Sequence, residues 1–173
     1  MAQFRVTKYN PRYRDASGAY RPDEWTSISE IGRNFDGVVF TGTDYVRAEK
    51  QYVAVADRFL SLLRVETLTV VGLEARLGGS IADLVSVGRR FLALTSIEEG
   101  ARLRKQEALV CMRYILRELL WCKLVGDDGV FFHFGYDYYM YLGCDADVSK
   151  DQLEMPGMFI EPFQSPYFYD DED

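Results

Sequence analysis

The sequence predicts an α+β fold, in which an antiparallel sheet made of a C-terminal meander and flanking strands packs on two or three amphipathic helices. Residues 120–143 contain three short apolar runs separated by turn residues, a pattern typical of a β-meander. Residues 43–64 and 97–119 instead repeat apolar side chains with the helical period. An antiparallel meander that packs on amphipathic helices is an α+β arrangement.

The meander is predicted from one turn and from the alternation of its last strand. Asp128-Gly129 supplies residues that tolerate positive φ between two apolar runs, which indicates a β-hairpin. In the last strand, alternation places Tyr139 and Tyr141 on the same face. We expect the opposite face to pack on the helices and this face to carry its tyrosines into water. The predicted strands are 120–125, 130–134 and 138–143.

Further strands are expected to flank the meander. Residues 4–9 alternate apolar and polar side chains and end at Asn10-Pro11, because the residue before proline is pushed away from helix. Residues 67–73 are short and rich in β-branched side chains, which favours a strand or an extended segment. Residues 158–161 follow a Pro-Gly turn and are predicted to form a fourth strand beside the meander.

Capping signals set the predicted helix starts. Thr43-Asp44 opens the first helix, which runs to about residue 64. Ser80 is expected to cap a second helix over residues 80–90. Ser96 and Glu99 have the spacing of a capping box and are predicted to start the long helix at 97–119.

Length and composition predict one domain over residues 1–173. A chain of this size with 48% hydrophobic residues can bury one sizeable core. Residues 12–24 show no periodicity and are expected to form a mobile loop. Residues 170–173 are all acidic and are expected to form a disordered tail. No apolar run approaches the ~20 residues of a membrane span, and no signal peptide is recognisable, so we expect a cytoplasmic protein without membrane contact.

Charge is distributed unevenly along the chain. Residues 123–173 contain two basic and twelve acidic side chains, within a net charge of −7 for the whole protein. This acidity repels nucleic acid and attracts a basic partner, so no nucleic-acid partner is expected. Arg12, Arg14 and Arg21 alternate with tyrosines and in isolation resemble a nucleic-acid arm. We expect these arginines to close onto acidic groups of this protein or of a partner instead.

No pattern in the sequence announces a reaction, and we expect no catalytic residues, no metal and no cofactor. His133 is the only imidazole, and the cysteines lack the spacing of a metal site. Glycine-rich phosphate loops are absent. The alternative from a different class is a small enzyme that uses His133 with Asp137, or with Cys122 or Cys144 as a thiolate.

Acidic and tyrosine side chains around the meander are the candidate partner-binding residues. Turn aspartates are often present for the turn alone. Tyrosine, however, is one of the residue types that dominate binding hot spots, and this chain has 12. Opposite charge speeds encounter with a basic protein, and buried aromatic rings slow release. The candidates are Asp127, Asp128, Tyr136, Asp137, Tyr139, Tyr141 and Asp145.

Three groups of segments together resemble a known class of proteins. They are Lys8-Tyr9-Asn10-Pro11 with Arg14-Asp15 and residues 23–28, Leu119-Leu120-Trp121-Cys122 with residues 133–141, and residues 161–167. The set resembles small bacterial immunity proteins of polymorphic or contact-dependent toxin systems, and it covers both ends of the chain but hardly the middle. The resemblance implies a non-enzymatic cytoplasmic inhibitor that binds a toxin domain, often a nuclease, and blocks its active or substrate-binding site. An adaptor for another basic protein is the remaining alternative.

Overall fold

A computed structural model of the chain describes residues 1–75, 97–135 and 137–168. In this part of the chain, two α-helices pack on one face of a seven-stranded antiparallel sheet, which confirms the predicted α+β class. The strands are β1 (Ala2–Thr7), β2 (Asn34–Phe35), β3 (Val38–Val39), β4 (Thr67–Ala75), β5 (Arg102–Arg104), β6 (Leu120–Val125), β7 (Phe131–Phe134), β8 (Met140–Cys144) and β9 (Phe159–Pro162). The helices are α1 (Gly42–Leu63) and α2 (Lys105–Leu116). Neither of these two helices has the length and apolar character that crossing a membrane requires.

The sheet has the strand order β5-β4-β6-β7-β8-β1-β9, and β2 and β3 form a separate hairpin. The predicted meander is confirmed as β6, β7 and β8. The strand predicted at 158–161 forms as β9, but its predicted place beside the meander is wrong, because β1 pairs with β8 and β9 pairs with the other edge of β1. Arg5 of β1 lies opposite Glu161 of β9 and forms an ion pair with it, which favours this outer pairing.

Helix α1 packs its apolar stripe on the meander, as the helical period predicts. Phe59 meets Phe132 of β7 edge-on, with 5.7 Å between the ring centroids, and Tyr52 meets Tyr138 in the same way at 5.1 Å. Burying this stripe removes apolar surface from water and holds the helix on one face of the sheet. The buried members of the predicted stripe are Tyr52, Val55, Ala56, Phe59 and Leu60.

The start predicted for the long helix is wrong. Ser96 and the helix predicted at 80–90 lie outside the described residues. The Glu99 carboxylate does not cap a helix; it accepts two backbone N–H groups of β4, at 3.1 and 2.7 Å. Gly100 has a φ of +76°, which an α-helix does not use, and the chain then pairs with β4 as β5. Helix α2 therefore begins only at Lys105.

The second face of the meander is covered by residues 163–168, which we call the C-terminal segment. Phe168 meets Phe131 of β7 edge-on at 4.8 Å, and Tyr167 meets Tyr141 of β8 at 5.9 Å. Phe131 and Tyr141 are consequently only 4% and 6% exposed. The expectation that this face carries its tyrosines into water is therefore wrong for Tyr141, because an aromatic segment of the same chain removes the ring from solvent.

Candidate functional site

The candidate partner-binding residues lie at two opposite ends of the sheet. Asp127 and Asp128 form part of the turn between β6 and β7, and Asp145 follows β8 at the same end. All three are exposed. Asp137 and Tyr139 lie between β7 and β8, at the opposite end. The predicted residues therefore form two separate groups, and their role in binding stays a prediction.

The tyrosines among these candidates differ in their surroundings. Tyr136 lies outside the described residues. Tyr141 is buried beneath the C-terminal segment. Tyr139 is half-buried, and the guanidinium groups of Arg5 and Arg14 lie 5.2 and 5.6 Å from its ring centroid. Of the two tyrosines that the structure describes, only Tyr139 can offer part of its ring to a partner.

Backbone geometry holds the first group of aspartates together. Asp128 and Gly129 have φ values of +54° and +67°, as the predicted hairpin turn requires. The backbone N–H of Asp145 donates to the carbonyl of Asp128 at 2.9 Å. A Cβ atom on Gly129 would lie 2.6 Å from the Asp145 carboxyl group, so glycine lets this carboxylate pack against the turn.

A groove of about 350 Å³, which we call the acidic groove, lies between this turn and the end of α1. Leu63, Val65 and Val130 give it an apolar floor, while Glu66, Asp127 and Asp128 supply carboxylates. The C-terminal end of α1 adds partial negative charge. Among the described residues that line the groove, Arg64 is the only basic one. The groove is therefore suited to a positively charged group with an apolar stem.

The carboxylates at this end of the sheet are available to a group from outside the protein. Within residues 1–75, 97–135 and 137–168, no ion pair involves Glu66, Asp127, Asp128 or Asp145. The same residues contain no group of three or more His, Cys, Asp or Glu side chains that could hold a metal ion. Within the described residues these carboxylates thus have no ion-pair partner, and among the residues that line the groove only Arg64 offsets part of their charge.

Arginine side chains within residues 12–21, in contrast, contact groups of their own chain. Arg14 reaches the carboxylate of Glu161 at 3.2 Å, and Arg21 reaches that of Asp15 at 2.6 Å. Arg12 lies over a neighbouring tyrosine ring at 4.5 Å. The expectation that these arginines close onto acidic groups is confirmed for Arg14 and Arg21, with the acidic groups coming from their own chain.

Lys8 lies between two aromatic rings and has a carboxylate as its partner. Its Nζ is 4.0 Å from the ring centroids of both Tyr9 and Trp25, and 2.7 Å from Oε1 of Glu24. Burial lowers the pKa of Lys8 from 10.5 to about 8, although the nearby Glu24 acts in the opposite direction. The hydrophobic periodicity of the sequence does not predict this cluster, because the loop at residues 12–24, which has no periodic pattern, brings Glu24 and Trp25 to Lys8 and Tyr9.

The free energy of unfolding is expected to rise by about 1–3 kcal/mol between pH 8 and pH 10 through Lys8. Folding lowers the pKa of Lys8, so in this range the unfolded chain binds a proton that the folded protein has released. The pKa values of Cys122, Cys144 and Tyr52 are raised in the folded protein, so these groups remove stability above about pH 9 for the thiols and about pH 10 for the tyrosine. They are the same in Lys8→Met, so urea unfolding at several pH values should show the wild type gaining about 1–3 kcal/mol relative to this variant between pH 8 and pH 10. A rise of the same size in the variant would assign the effect to other groups.

The sheet separates His133 from the cysteines, so the alternative of a His-Cys pair is wrong. Strand alternation places His133 beneath the C-terminal segment and places Cys122 and Cys144 on the helix face. Nδ1 of His133 lies 2.7 Å from Oγ of Ser165. Cys122 Sγ lies 3.9 Å from Cys111 Sγ, and this contact together with burial raises the pKa of the Cys122 thiol. Cys122 therefore stays protonated at neutral pH.

A cavity of about 180 Å³, which we call the aromatic cavity, lies at the other end of the sheet between α2 and the β7–β8 turn. Its lining residues include the aromatic Trp121, Phe134, Tyr138 and Tyr139 and the acidic Glu118. The indole N–H of Trp121 donates to the carbonyl of Phe134 at 2.9 Å, which fixes the orientation of that ring. The cavity combines aromatic surface with negative charge.

Two residues that line this cavity take left-handed backbone conformations. Glu118 and Tyr138 have φ values of +59° and +60°, in the left-handed region that favours glycine. Helix α2 ends in a Schellman motif, in which Leu119 N–H donates to the carbonyl of Tyr114 at 3.0 Å and Glu118 N–H to that of Ile115 at 2.9 Å. Glycine is the usual residue at the position that Glu118 occupies, so the capping motif itself does not require a glutamate.

No protein-family model, no curated protein and no solved structure matches this chain. The groove, the cavity and the charges around them are therefore the observations from which a function can be inferred. Sequence patterns missed Glu66 and Glu118, because both follow the ends of helices and lie outside the meander turns. The sequence has no glycine that would mark the end of this helix. The helix was therefore predicted to extend to residue 119, beyond Glu118, whereas it ends at Leu116.

Proposed function

We propose that this protein is an immunity protein that binds a cognate bacterial toxin domain in the cytoplasm and neutralises it by covering its active or substrate-binding surface. The acidic groove carries the proposal: Glu66, Asp127 and Asp128 line it and have no ion-pair partner among the described residues. The N-terminal arginines pair within their own chain and do not offset this charge. A basic protein surface is the partner that such a groove attracts.

The groove can accommodate both the aliphatic stem and the charged end of a basic side chain of the partner. Lysine and arginine bury their aliphatic stems on apolar surface while the charged end stays in a polar setting. Here the stem would lie on Leu63, Val65 and Val130, and the charge would lie among the carboxylates. Opposite charge raises the rate of encounter, and burial of the stem slows release. One groove thus supports both fast association and a long-lived complex.

A nuclease domain is the partner class that the resemblance to toxin-immunity proteins favours. A nuclease holds the phosphate backbone of its substrate with lysine and arginine side chains. That basic surface is complementary to the unpaired carboxylates of the acidic groove. An inhibitor bound there excludes nucleic acid because it occupies the surface and adds negative charge beside it.

Removing the charges at this end of the sheet is expected to slow association with the toxin. Glu66→Gln, Asp127→Asn and Asp128→Asn together remove the three carboxylates of the groove, and asparagine tolerates the positive φ at position 128. At low salt the association rate constant should fall about 10–100-fold, and at high salt it should approach the wild-type value. Surface plasmon resonance over a range of salt concentrations measures both.

A matched control removes three exposed carboxylates that do not line the groove: Asp23→Asn, Asp151→Asn and Glu154→Gln. It changes the net charge equally and should alter the association rate constant less than about threefold. Equal losses in the two triple variants would assign the attraction to net charge and contradict a role for the groove.

Co-expression with the adjacent upstream open reading frame tests the function itself. A one-to-one complex, together with rescue of the host from growth arrest, is the expected result. A complex with a basic protein that is not toxic would overturn the immunity role and indicate an adaptor. Absence of both a complex and toxicity would overturn the proposal altogether.

A further inference from the structure

We infer that the aromatic cavity receives one arginine or lysine side chain of the bound protein. That a toxin supplies this side chain rests on the proposed function. That the side chain is basic is inferred from the residues that line the cavity. At about 180 Å³, the cavity is smaller than the ~300–1,000 Å³ that sites for drug-sized ligands occupy. A single long side chain is the occupant that matches this size.

The lining selects for positive charge. Trp121 and Tyr139 are aromatic residues of the lining, and aromatic π-systems attract cations. The Tyr139 ring already has the guanidinium groups of Arg5 and Arg14 at 5.2 and 5.6 Å, which leaves Trp121 as the main ring for an outside cation.

Glu118 is exposed and has no ion-pair partner in the parts of the chain that the structure describes. Arg117 does not take the place of an outside cation, because its Nε lies 2.5 Å from the buried carboxylate of Glu49. The C-terminal end of α2 adds partial negative charge to the same site.

Arginine matches this lining better than lysine does. Its planar guanidinium group can stack on an aromatic ring and still donate hydrogen bonds in its own plane to a carboxylate. Lysine offers a compact and strongly hydrated charge, which loses more on leaving water. Tryptophan, tyrosine and arginine are also the residue types that recur as anchors at the centres of protein interfaces.

The backbone conformation places the Glu118 side chain on the cavity lining. Glu118 takes the left-handed position that ends α2, where glycine would avoid the cost. Tyr138 takes a second left-handed position on the same lining. Arg64 takes the same left-handed position at the end of α1, so the capping position does not dictate the side chain, and the charge at the cavity comes from the glutamate itself.

Titration of the isolated protein with Nα-acetyl-arginine methylamide tests the cavity without the toxin. The chain has two tryptophans, so its indole N–H groups give two reporter signals in an NMR spectrum. Trp121 lines the cavity, whereas Trp25 does not line it and packs behind it on Phe40 and Tyr138, so the Trp25 signal should move much less and serves as the reference. We expect a saturable shift of the Trp121 signal, and binding about tenfold weaker for the uncharged citrulline analogue.

A pair of charge-neutralising variants locates the site. Glu118→Gln should weaken binding of the arginine probe about fivefold, and Glu154→Gln, an exposed glutamate away from the cavity, should leave it unchanged. Equal binding of the citrulline analogue, or no saturable shift of the Trp121 signal, would overturn the cavity inference and leave the proposed function standing. If co-expression finds no toxin but the arginine probe still binds, the cavity does bind a basic side chain. Only the proposal that a toxin supplies this side chain is then overturned.

Discussion

Replacing Glu49 with alanine is expected to lower the free energy of unfolding by about 3–5 kcal/mol. Its carboxylate is buried between the two helices, with Arg117 Nε 2.5 Å from Oε2 and Arg113 Nη1 3.0 Å from Oε1. The Glu49 and Arg117 side chains are 1% and 8% exposed, so the variant leaves the Arg117 guanidinium in the interior without this carboxylate. Urea unfolding at neutral pH measures the loss.

Asp57→Ala is the matched control, because it removes a carboxylate of the same helix that is far more exposed than that of Glu49. Asp57 pairs with Lys105 at 2.6 Å, but its side chain is 48% exposed. An ion pair of this kind contributes at most about 1 kcal/mol. If the two variants lost the same stability, burial would not be what makes the Glu49 site important.

The Glu49 ion pairs also link stability to the proposed binding surface. Arg113 lies in α2, and Arg117 follows its last turn. Glu49 of α1 therefore holds the end of α2 in place, and Glu118 is the next residue along the chain. The ion pairs of Glu49 thus fix the helix end that carries the Glu118 carboxylate of the aromatic cavity. A binding site is rigid when neighbouring groups hold its residues in this way.

Sequence patterns predicted the elements whose signals are local. The turn at Asp128-Gly129 and the period of α1 each depend on residues close in sequence, and both form as predicted. The capping box at Ser96 and Glu99 is just as local, yet Glu99 bonds to the backbone of β4 instead. Pairing with a distant strand outweighs the helical preference there, and a short motif carries no information about that competitor.

Sequence patterns also assigned strand faces correctly but could not show what covers them. Alternation predicts Tyr139 and Tyr141 on one face, where their ring centroids lie 6.4 Å apart, and His133 is paired with Tyr141 on the neighbouring strand. The cover is the C-terminal segment, and Ser165 reaches His133 across 32 residues of sequence. The exposure of Asp127 and Asp128 could be predicted, because a hairpin turn projects beyond the sheet and its polar side chains stay in water. Exposure is therefore predictable for turns more than for strand faces.

Replacing Tyr52 with phenylalanine is expected to lower the free energy of unfolding by about 2–4 kcal/mol, although only one oxygen atom is lost. The hydroxyl group of Tyr52 donates to the carbonyl of Tyr138 at 2.6 Å and accepts the backbone N–H of Lys8 at 2.9 Å. Tyr52 is fully buried, so water cannot replace the missing atom readily. The substitution thus leaves a donor at the end of β1 and an acceptor in the β7–β8 turn without a partner.

Tyr45→Phe separates this bridging role from the general cost of losing a buried hydroxyl group. Tyr45 lies on the same helix and is also buried, but its hydroxyl donates to one backbone group, the carbonyl of Leu116, at 2.9 Å. Its loss should cost about half as much, roughly 1–2 kcal/mol. Hydrogen exchange adds a specific readout, because the Lys8 amide should lose protection in Tyr52→Phe and keep it in Tyr45→Phe. Equal destabilisation with equal protection of Lys8 would contradict the bridge, and would mean that α1 holds the β7–β8 turn through ring packing alone.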